Sequence, residues 1–281
     1  MPKQTFNRGQ STPRLQLLEH AAFALRAHRF AEAEQVATVI LRANRTDLAA
    51  VSILAHALIA QNRAAEAIAL LEKAVRRGDD PGLETLLGAA LGNAGRNAEA
   101  IDRLRRTAAR RPAFAPAFQE LANQLTLTGR NEEAVGVIEQ ALQLLPGLID
   151  LELVLARIHL VGNERAKARA ILVRLREAAP GRSDIAIELA RLMLRDGDYA
   201  TSADIYRHVL GLNPDDALTR AELATCLLEM GEREAGEGAL RRVMQGHPQL
   251  LGRVAHALSV SSHGRFFLRP SALRNFLQPQ A

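Results

Sequence analysis

The side chains of this sequence that could do chemistry are few and scattered. Its one cysteine is Cys226, and among eight histidines only His256 and His263 share a helical spacing, without a third ligand or a nearby carboxylate. Structural zinc needs about four ligands at short spacings. The sequence contains no Ser/His/Asp spacing, Gly-rich phosphate loop or paired-carboxylate motif. We therefore predict no catalytic residue, no metal site, no cofactor and no enzyme activity, and we expect Cys226 to be a small buried thiol.

Arginines at regular spacing are stronger candidates, and the function they suggest is binding. Arg157 and Arg191 are 34 residues apart, and Arg195 follows Arg191 by one helical turn. Guanidinium groups so placed can hold a carboxylate through paired hydrogen bonds. Glu188 can instead pair with Arg191 within the protein. The spacing is consistent with a partner that carries acidic groups or with a self-satisfied charge network.

A second group of arginines is concentrated between residues 103 and 111. Clustered arginine can neutralise nucleic-acid phosphates. However, no aromatic residues are interleaved for base stacking, and cations near the end of a helix are favoured by its dipole. The formal net charge of +5 is uneven, because residues 241–281 hold arginines but no acidic residue. We expect that nucleic acid is not the partner.

The element that must position these side chains is a repeat. Prolines recur at 34-residue intervals, and a small residue lies twelve residues before each of them. The prolines are Pro112, Pro146, Pro180, Pro214 and Pro248, and the small residues are Ala100, Ala134, Ala168, Ser202 and Gly236. A fixed interval of this size is typical of a solenoid. Apolar residues recur at spacings of three and four, which predicts helices.

Each repeat unit contains a turn between two helices. Helical periodicity stops at a Gly, Asn or His and resumes within three residues. The turn residues are His28, Asn62, Gly95, Gly129, Asn163, Gly197 and Gly231. Gly and Asn tolerate the left-handed backbone conformation that ends a helix. The pattern predicts helix-turn-helix units.

This pattern resembles the tetratricopeptide repeat (TPR), which has a small residue at unit position 20, a bulky apolar residue at 24 and Pro at 32. Position 7 is Leu in six units, from Leu54 to Leu223, and position 8 is Ala or Gly throughout. The family's Trp at position 4 and Tyr at position 11 are missing, and unit one departs at His20, Ala37 and Arg45. The resemblance implies an all-α fold, a right-handed α-solenoid (superhelix) of about seven units plus a C-terminal capping helix.

The repeat divides the chain into segments. We expect a disordered basic N-terminal tail at residues 1–13 and seven TPR units over residues 14–248. Their boundaries are about 14–47, 48–80, 81–114, 115–148, 149–182, 183–216 and 217–248. A capping helix follows at 249–262, and an aromatic and basic tail at 263–281 contains a short helix capped by Ser271. No segment matches a signal peptide or a membrane span, so we expect a cytoplasmic protein.

Helical spacing also defines a candidate binding surface. With positions 4, 7, 8 and 11 of each first helix packed inward, positions 2, 5, 6, 9, 12 and 13 form the opposite stripe. By resemblance, that stripe lines the concave groove in which such proteins hold peptides. The candidate peptide-binding residues are His56, Thr85, Asn93, Gln119, Asn123, Arg157, Arg191 and Arg195. Asn and Gln amides can both donate to and accept from an extended peptide.

The leading functional hypothesis is a non-enzymatic scaffold or adaptor, of bacterial type, that binds a segment of a partner protein in its groove. One alternative is a self-assembling structural scaffold, a homo-oligomer joined through Leu15, Leu18 and Leu25 or through the aromatic tail. Another is an accessory subunit of a separate transferase enzyme. The family's carboxylate-clamp pattern for chaperone tails is not present, so we do not predict a chaperone-tail adaptor.

Overall fold

The computed structural model describes residues 11–278, which form α-helices, one short 3-10 helix and no strand. The α-helices are α1 (Ser11–Arg26), α2 (Phe30–Ala43), α3 (Leu48–Ala60), α4 (Ala64–Val75), α5 (Pro81–Asn93), α6 (Asn97–Ala108), α7 (Ala115–Leu127), α8 (Asn131–Leu144), α9 (Ile149–Val161), α10 (Arg165–Ala178), α11 (Ser183–Arg195), α12 (Tyr199–Leu212), α13 (Ala217–Glu229), α14 (Arg233–Gly246), α15 (Leu251–Val260) and α16 (Pro270–Leu277). The prediction of an all-α solenoid is confirmed. None of these helices is long and apolar enough to cross a membrane.

The described part of the chain divides into two compact bodies, residues 11–162 and residues 163–278. The division falls between α9 and α10, which belong to the predicted fifth unit. Residues 1–10 of the predicted disordered tail lie outside the described residues, whereas residues 11–13 open α1. In the first body, successive helices pack on one another from α1 to α9, and in the second from α10 to α14.

The predicted turns lie where the sequence indicates them. Every turn residue has a positive φ: His28 57°, Asn62 61°, Gly95 77°, Gly129 76°, Asn163 59°, Gly197 81° and Gly231 82°. Only a residue without a large steric penalty at positive φ closes this corner cheaply, which explains the Gly and Asn preference. His28 is the exception, and it belongs to the atypical first unit.

Close packing within a unit depends on small residues at positions 8 and 20, all of which are buried. Those at position 8 are Ala21, Ala55, Gly88, Ala122, Ala156, Ala190 and Ala224, and those at position 20 are Ala33, Ala67, Ala100, Ala134, Ala168, Ser202 and Gly236. At Gly88 an added Cβ would lie 2.5 Å from Cγ of Leu104, the fully buried bulky residue at position 24. The small residues therefore make the space that the bulky ones fill.

Several first helices begin at an aspartate cap. Asp47 is buried and accepts a hydrogen bond from the Ala50 backbone N–H at 3.1 Å, and its other oxygen lies 2.5 Å from Nε of Arg14. The Arg14 hydrogen bond holds the pKa of Asp47 below its ordinary value. Asp80 and Asp216 cap α5 and α13 in the same way. These caps satisfy backbone donors that a helix cannot satisfy itself.

The C-terminal segment packs on the end of the second body. The 3-10 helix Pro248–Leu250 and α15 occupy the place of the predicted capping helix, and α15 packs on α13 and α14. The short helix predicted in the tail is α16, which buries Leu273 and Leu277. Its predicted cap is wrong, because the helix begins at Pro270 and Arg269 holds the cap position. Proline is favoured at the first helical position, where its missing N–H is not needed.

A buried carboxylate joins the tail to α14. Glu237, 4% exposed, accepts hydrogen bonds from Nε of Arg233 at 3.1 Å and from Nε of Arg265 at 2.5 Å. The guanidinium carbons of Arg241 and Arg265 lie 4.7 and 4.9 Å from the ring centroid of Phe276. Arg265 and Phe276 of the tail are thus engaged within the protein through charge pairing and cation–π contacts.

Glycine substitutions test the close-packing account. Gly88→Ala should lower the free energy of unfolding by about 1–3 kcal/mol, because the new methyl group overlaps Leu104. The matched control is Gly136→Ala, also in a helix but with nothing within 4 Å of the new Cβ. It should gain about 0.5–1 kcal/mol from lower chain entropy. Urea unfolding measures both, and a Gly88→Ala protein as stable as the wild type would contradict the account.

Glu237→Ala should release the tail. The substitution removes charge-assisted hydrogen bonds, each worth about 1.5–3 kcal/mol, so trypsin should cleave after Arg265 roughly 10-fold faster or more. Glu234→Ala is the control, since Glu234 is exposed on the same helix. Cleavage rates that are the same in both variants would show that Glu237 does not hold the tail.

Candidate functional site

The candidate site is the solvent-facing stripe of the first helices, which we call the first-helix face. In the first body it is formed by α3, α5 and α7, each of which packs on the next. It carries His56 on α3, Thr85 and Asn93 on α5, and Gln119 and Asn123 on α7. Because the first helices are neighbours in the stack, these side chains belong to one continuous layer of the body.

Most side-chain donors on this face are used by their own helix. Nδ1 of His56 lies 2.8 Å from the Ser52 carbonyl oxygen, and Nδ2 of Asn93 donates to the Ala89 carbonyl at 2.9 Å. Thr85 donates to the Pro81 carbonyl at 2.7 Å and is buried, so it offers a ligand little surface. His56 and Asn93 are exposed. Since a carbonyl oxygen only accepts, these contacts place a hydrogen on Nδ1 of His56 and turn the NH2 group of Asn93 toward its own helix.

Polar residues of α7 form a cluster that extends the predicted site. Gln119 is partly buried, and its amide makes no hydrogen bond to any described residue. Asn123 is exposed and hydrogen bonds the Glu120 carboxylate, which also accepts from Nε2 of Gln124 at 2.7 Å. Burial raises the pKa of Glu120 above its ordinary value, and the two amides oppose that shift. The structure therefore adds Glu120 and Gln124 to the residues that the sequence indicated.

Gln124 is 2% exposed, and a glycine makes room for it. A Cβ on Gly92 of α5 would overlap the end of the Gln124 side chain. The sequence signal for this contact was Gly92 itself, a glycine inside a helix on the predicted stripe. Helical spacing missed Gln124 because position 10 is not part of the stripe.

The predicted arginines are distributed over both bodies. Arg157 is exposed on α9 of the first body. In the second body, Nη2 of Arg191 lies 3.9 Å from Glu222 on α13, and Nη1 of Arg253 lies 3.2 Å from the same carboxylate. Arg195 is exposed and pairs with no carboxylate in residues 11–278. An acidic partner for Arg191 within the protein was one of the two possibilities that its spacing allowed.

The arginines between residues 103 and 111 are engaged with groups of the protein itself. Their partners are Glu84 for Arg103 and Arg110, Glu133 for Arg105, Asp102 for Arg106, and backbone carbonyls of residues 108–110 for Arg111. Glu84 contacts Arg110 at 3.0 Å and Arg103 at 3.4 Å. This group is a charge network around the ends of α5 and α6.

The remaining reactive side chains are structural or solvated. Cys226 is fully buried, its Sγ lies 3.3 Å from Oγ of Ser202, and burial raises the pKa of its thiol to about 11. Such a thiol is protonated and inert at neutral pH. His256 is exposed, and Nδ1 of His263 lies 3.0 Å from the Leu228 carbonyl. Among the described residues no group of His, Cys, Asp or Glu is placed to hold a metal ion.

The fold and this open polar face define an α-solenoid of the protein-interaction class. Models of the tetratricopeptide repeat match residues 24–90, 125–192 and 193–259, and another model of the same repeat matches residues 85–149. The chain therefore belongs to the tetratricopeptide repeat family. The sequence has no significant match among curated proteins.

Several solved structures share this fold over much of the length of the chain. A thermophilic TPR protein of Thermus thermophilus is 25% identical, with a TM-score of 0.54 over 63% of this chain and 97% of its own. A tetratricopeptide repeat protein of Parabacteroides merdae is 13% identical, with a TM-score of 0.59 over 87% of this chain and 99% of its own. The APC/C hetero-tetramer Cut9–Hcn1 is 16% identical, with a TM-score of 0.57 over 89% of this chain and 53% of its own.

Proposed function

We propose that this TPR protein is a non-enzymatic scaffold that binds a segment of a partner protein on its first-helix face. The observation that carries the proposal is a contrast between two surfaces. Arginines of the second helix α6 are paired with carboxylates of the protein, whereas the first-helix face presents Gln119, Asn93 and His56 to solvent. The polar atoms of these side chains that make no bond within the protein are available to hydrogen bond a partner segment.

Acidic groups on the partner are a further part of the proposal, and they concern the second body. Arg195 is exposed without a carboxylate partner among residues 11–278, and the 3.9 Å separation of Arg191 from Glu222 is long for an ion pair. An incoming carboxylate would supply the closer partner that Arg191 lacks. A cytoplasmic location, absence of catalysis and a role beside a transferase stay predictions.

Self-association through the tail is a second candidate. Phe266 is 74% exposed and Leu268 is 88% exposed, although Phe267 and Phe276 between and beyond them are packed. Exposed apolar side chains in one short segment favour a contact with another molecule. Light scattering tests this candidate. If the tail joins copies of the protein, a Phe266→Ser/Leu268→Ser variant should have a smaller mass in solution than the wild type.

Affinity capture tests the scaffold proposal directly. The wild type, a Gln119→Ala/Asn123→Ala variant and an Arg106→Ala control are immobilised, and proteins captured from the producing cells are quantified. Truncating interface side chains costs about 1–2 kcal/mol, hence roughly 5- to 30-fold in affinity. The double variant should lose partners that Arg106→Ala retains, since Arg106 lies on a second helix. The same set of partners in the same amounts on all three proteins would contradict the proposal.

A further inference from the structure

The carboxylate of Glu120 is partly buried on the first-helix face without a cation. It accepts hydrogen bonds from the amides of Gln124 and Asn123, but it forms no ion pair with any residue of the described chain. No charged side chain offsets the effect of its burial, which raises the pKa of the carboxyl. Carboxylates removed from water are ordinarily paired with a cation. Burial of the charged Glu120 carboxylate therefore lowers the stability of the free protein.

A second unsatisfied acceptor lies beside it. Oε1 of Gln124 is buried, and among residues 11–278 it has no hydrogen-bond partner. The Nε2 atom of the same amide is committed to Glu120, so the amide cannot turn without losing that bond. The Gln124 amide fills the space that Gly92 leaves by having no side chain. An orphaned buried acceptor costs about 1–3 kcal/mol and indicates a missing donor.

Other side chains of the first-helix face also offer hydrogen-bond acceptors. His56, Asn93 and Thr126 each donate one hydrogen bond to a carbonyl of their own helix, at 2.8, 2.9 and 2.8 Å respectively. The acceptors that these groups still offer include Oδ1 of Asn93 and the Thr126 hydroxyl oxygen. The face formed by α3, α5 and α7 therefore offers several acceptors, and Glu120 is the carboxylate on its predicted stripe.

We propose that Glu120 binds a cationic side chain, the ammonium of Lys or the guanidinium of Arg, from a partner segment lying on the face of α5 and α7. The inference rests on the proposed scaffold function and names the chemistry of the partner in the first body. A cation brings the missing charge to Glu120 and donates hydrogen bonds to its carboxylate. An acidic group in this place would be repelled, so the first body and the arginines of the second body select for opposite charges.

Oriented peptide libraries test this inference. Each pool of twelve-residue peptides fixes one central residue as Lys, Arg, norleucine or Glu and randomises the others, and binding to immobilised full-length protein is quantified. The wild type should retain the Lys and Arg pools at least about 10-fold over the norleucine pool, which matches Lys in length without its charge. Glu120→Gln keeps the shape and the acceptor for Gln124 but should abolish the preference. Glu139→Gln, which removes an exposed carboxylate from α8, should retain it.

The outcomes separate this inference from the scaffold proposal. Equal retention of the Lys, Arg and norleucine pools overturns the role of Glu120 and leaves the scaffold proposal standing. Retention of no pool counts against the binding face altogether. Glu120→Asp provides a second variant, which keeps the charge one methylene further back and should show an intermediate preference. A preference that is undiminished in Glu120→Gln would also overturn the inference.

Discussion

The close approach of paired helices at their small residues is the constraint on which the rest of this structure depends. Alanine, glycine or serine at positions 8 and 20 lets two helix backbones meet, and the bulky residue at position 24 then fills the remaining volume. The bulky residues Leu71, Leu104, Ile138, Leu172, Tyr206 and Leu240 are all fully buried. Because interiors are packed at crystal-like density, a methyl group added at such a contact must displace its neighbour. The repeat is therefore first of all a packing device.

The packing within each unit determines which side chains remain exposed and available for binding. A first helix that buries positions 4, 7, 8 and 11 presents its opposite stripe to solvent. In the first body that stripe carries the carboxylate of Glu120, which forms no ion pair with the described residues, and in the second body it carries Arg191 and Arg195 together with Glu222. By contrast, the carboxylate of Glu84 is paired with two arginines of the protein itself, Arg103 and Arg110. Glu120 differs in being a partly buried carboxylate that has no cation beside it among the described residues.

The sequence predicts much of this structure because its signals are local. A residue at positive φ favours Gly or Asn wherever it occurs, so the turns could be placed within a residue. The candidate residues His56, Asn93 and Asn123 are exposed as helical spacing predicts. Thr85 is the one that lies buried, since its hydroxyl turns back to the carbonyl of Pro81.

Other features depend on tertiary contacts that no spacing encodes. The absence of a cation beside Glu120 becomes visible only when its surroundings are known, and the contact between Gln124 and Gly92 arises from packing of α7 on α5. The pairing of Glu237 with Arg265 joins residues from different helices and loops for the same reason. Ser271 was wrongly predicted as the cap because the helix begins one residue earlier, at Pro270, whose fixed φ suits the first position of a helix.

The most direct test of the central claim, that Glu120 costs the free protein stability, compares wild type with Glu120→Gln at two pH values. A carboxyl whose pKa is raised by folding binds its proton more tightly in the folded state, so the wild type loses stability as pH rises through that raised pKa. Urea unfolding at about pH 4 and about pH 8 yields the free-energy difference between the two proteins, and the lower value lies below the ordinary pKa of a glutamate, about 4.3. We expect Glu120→Gln to gain on the wild type between the lower and the higher pH. A difference that stays constant, or that shrinks as pH rises, would contradict the account.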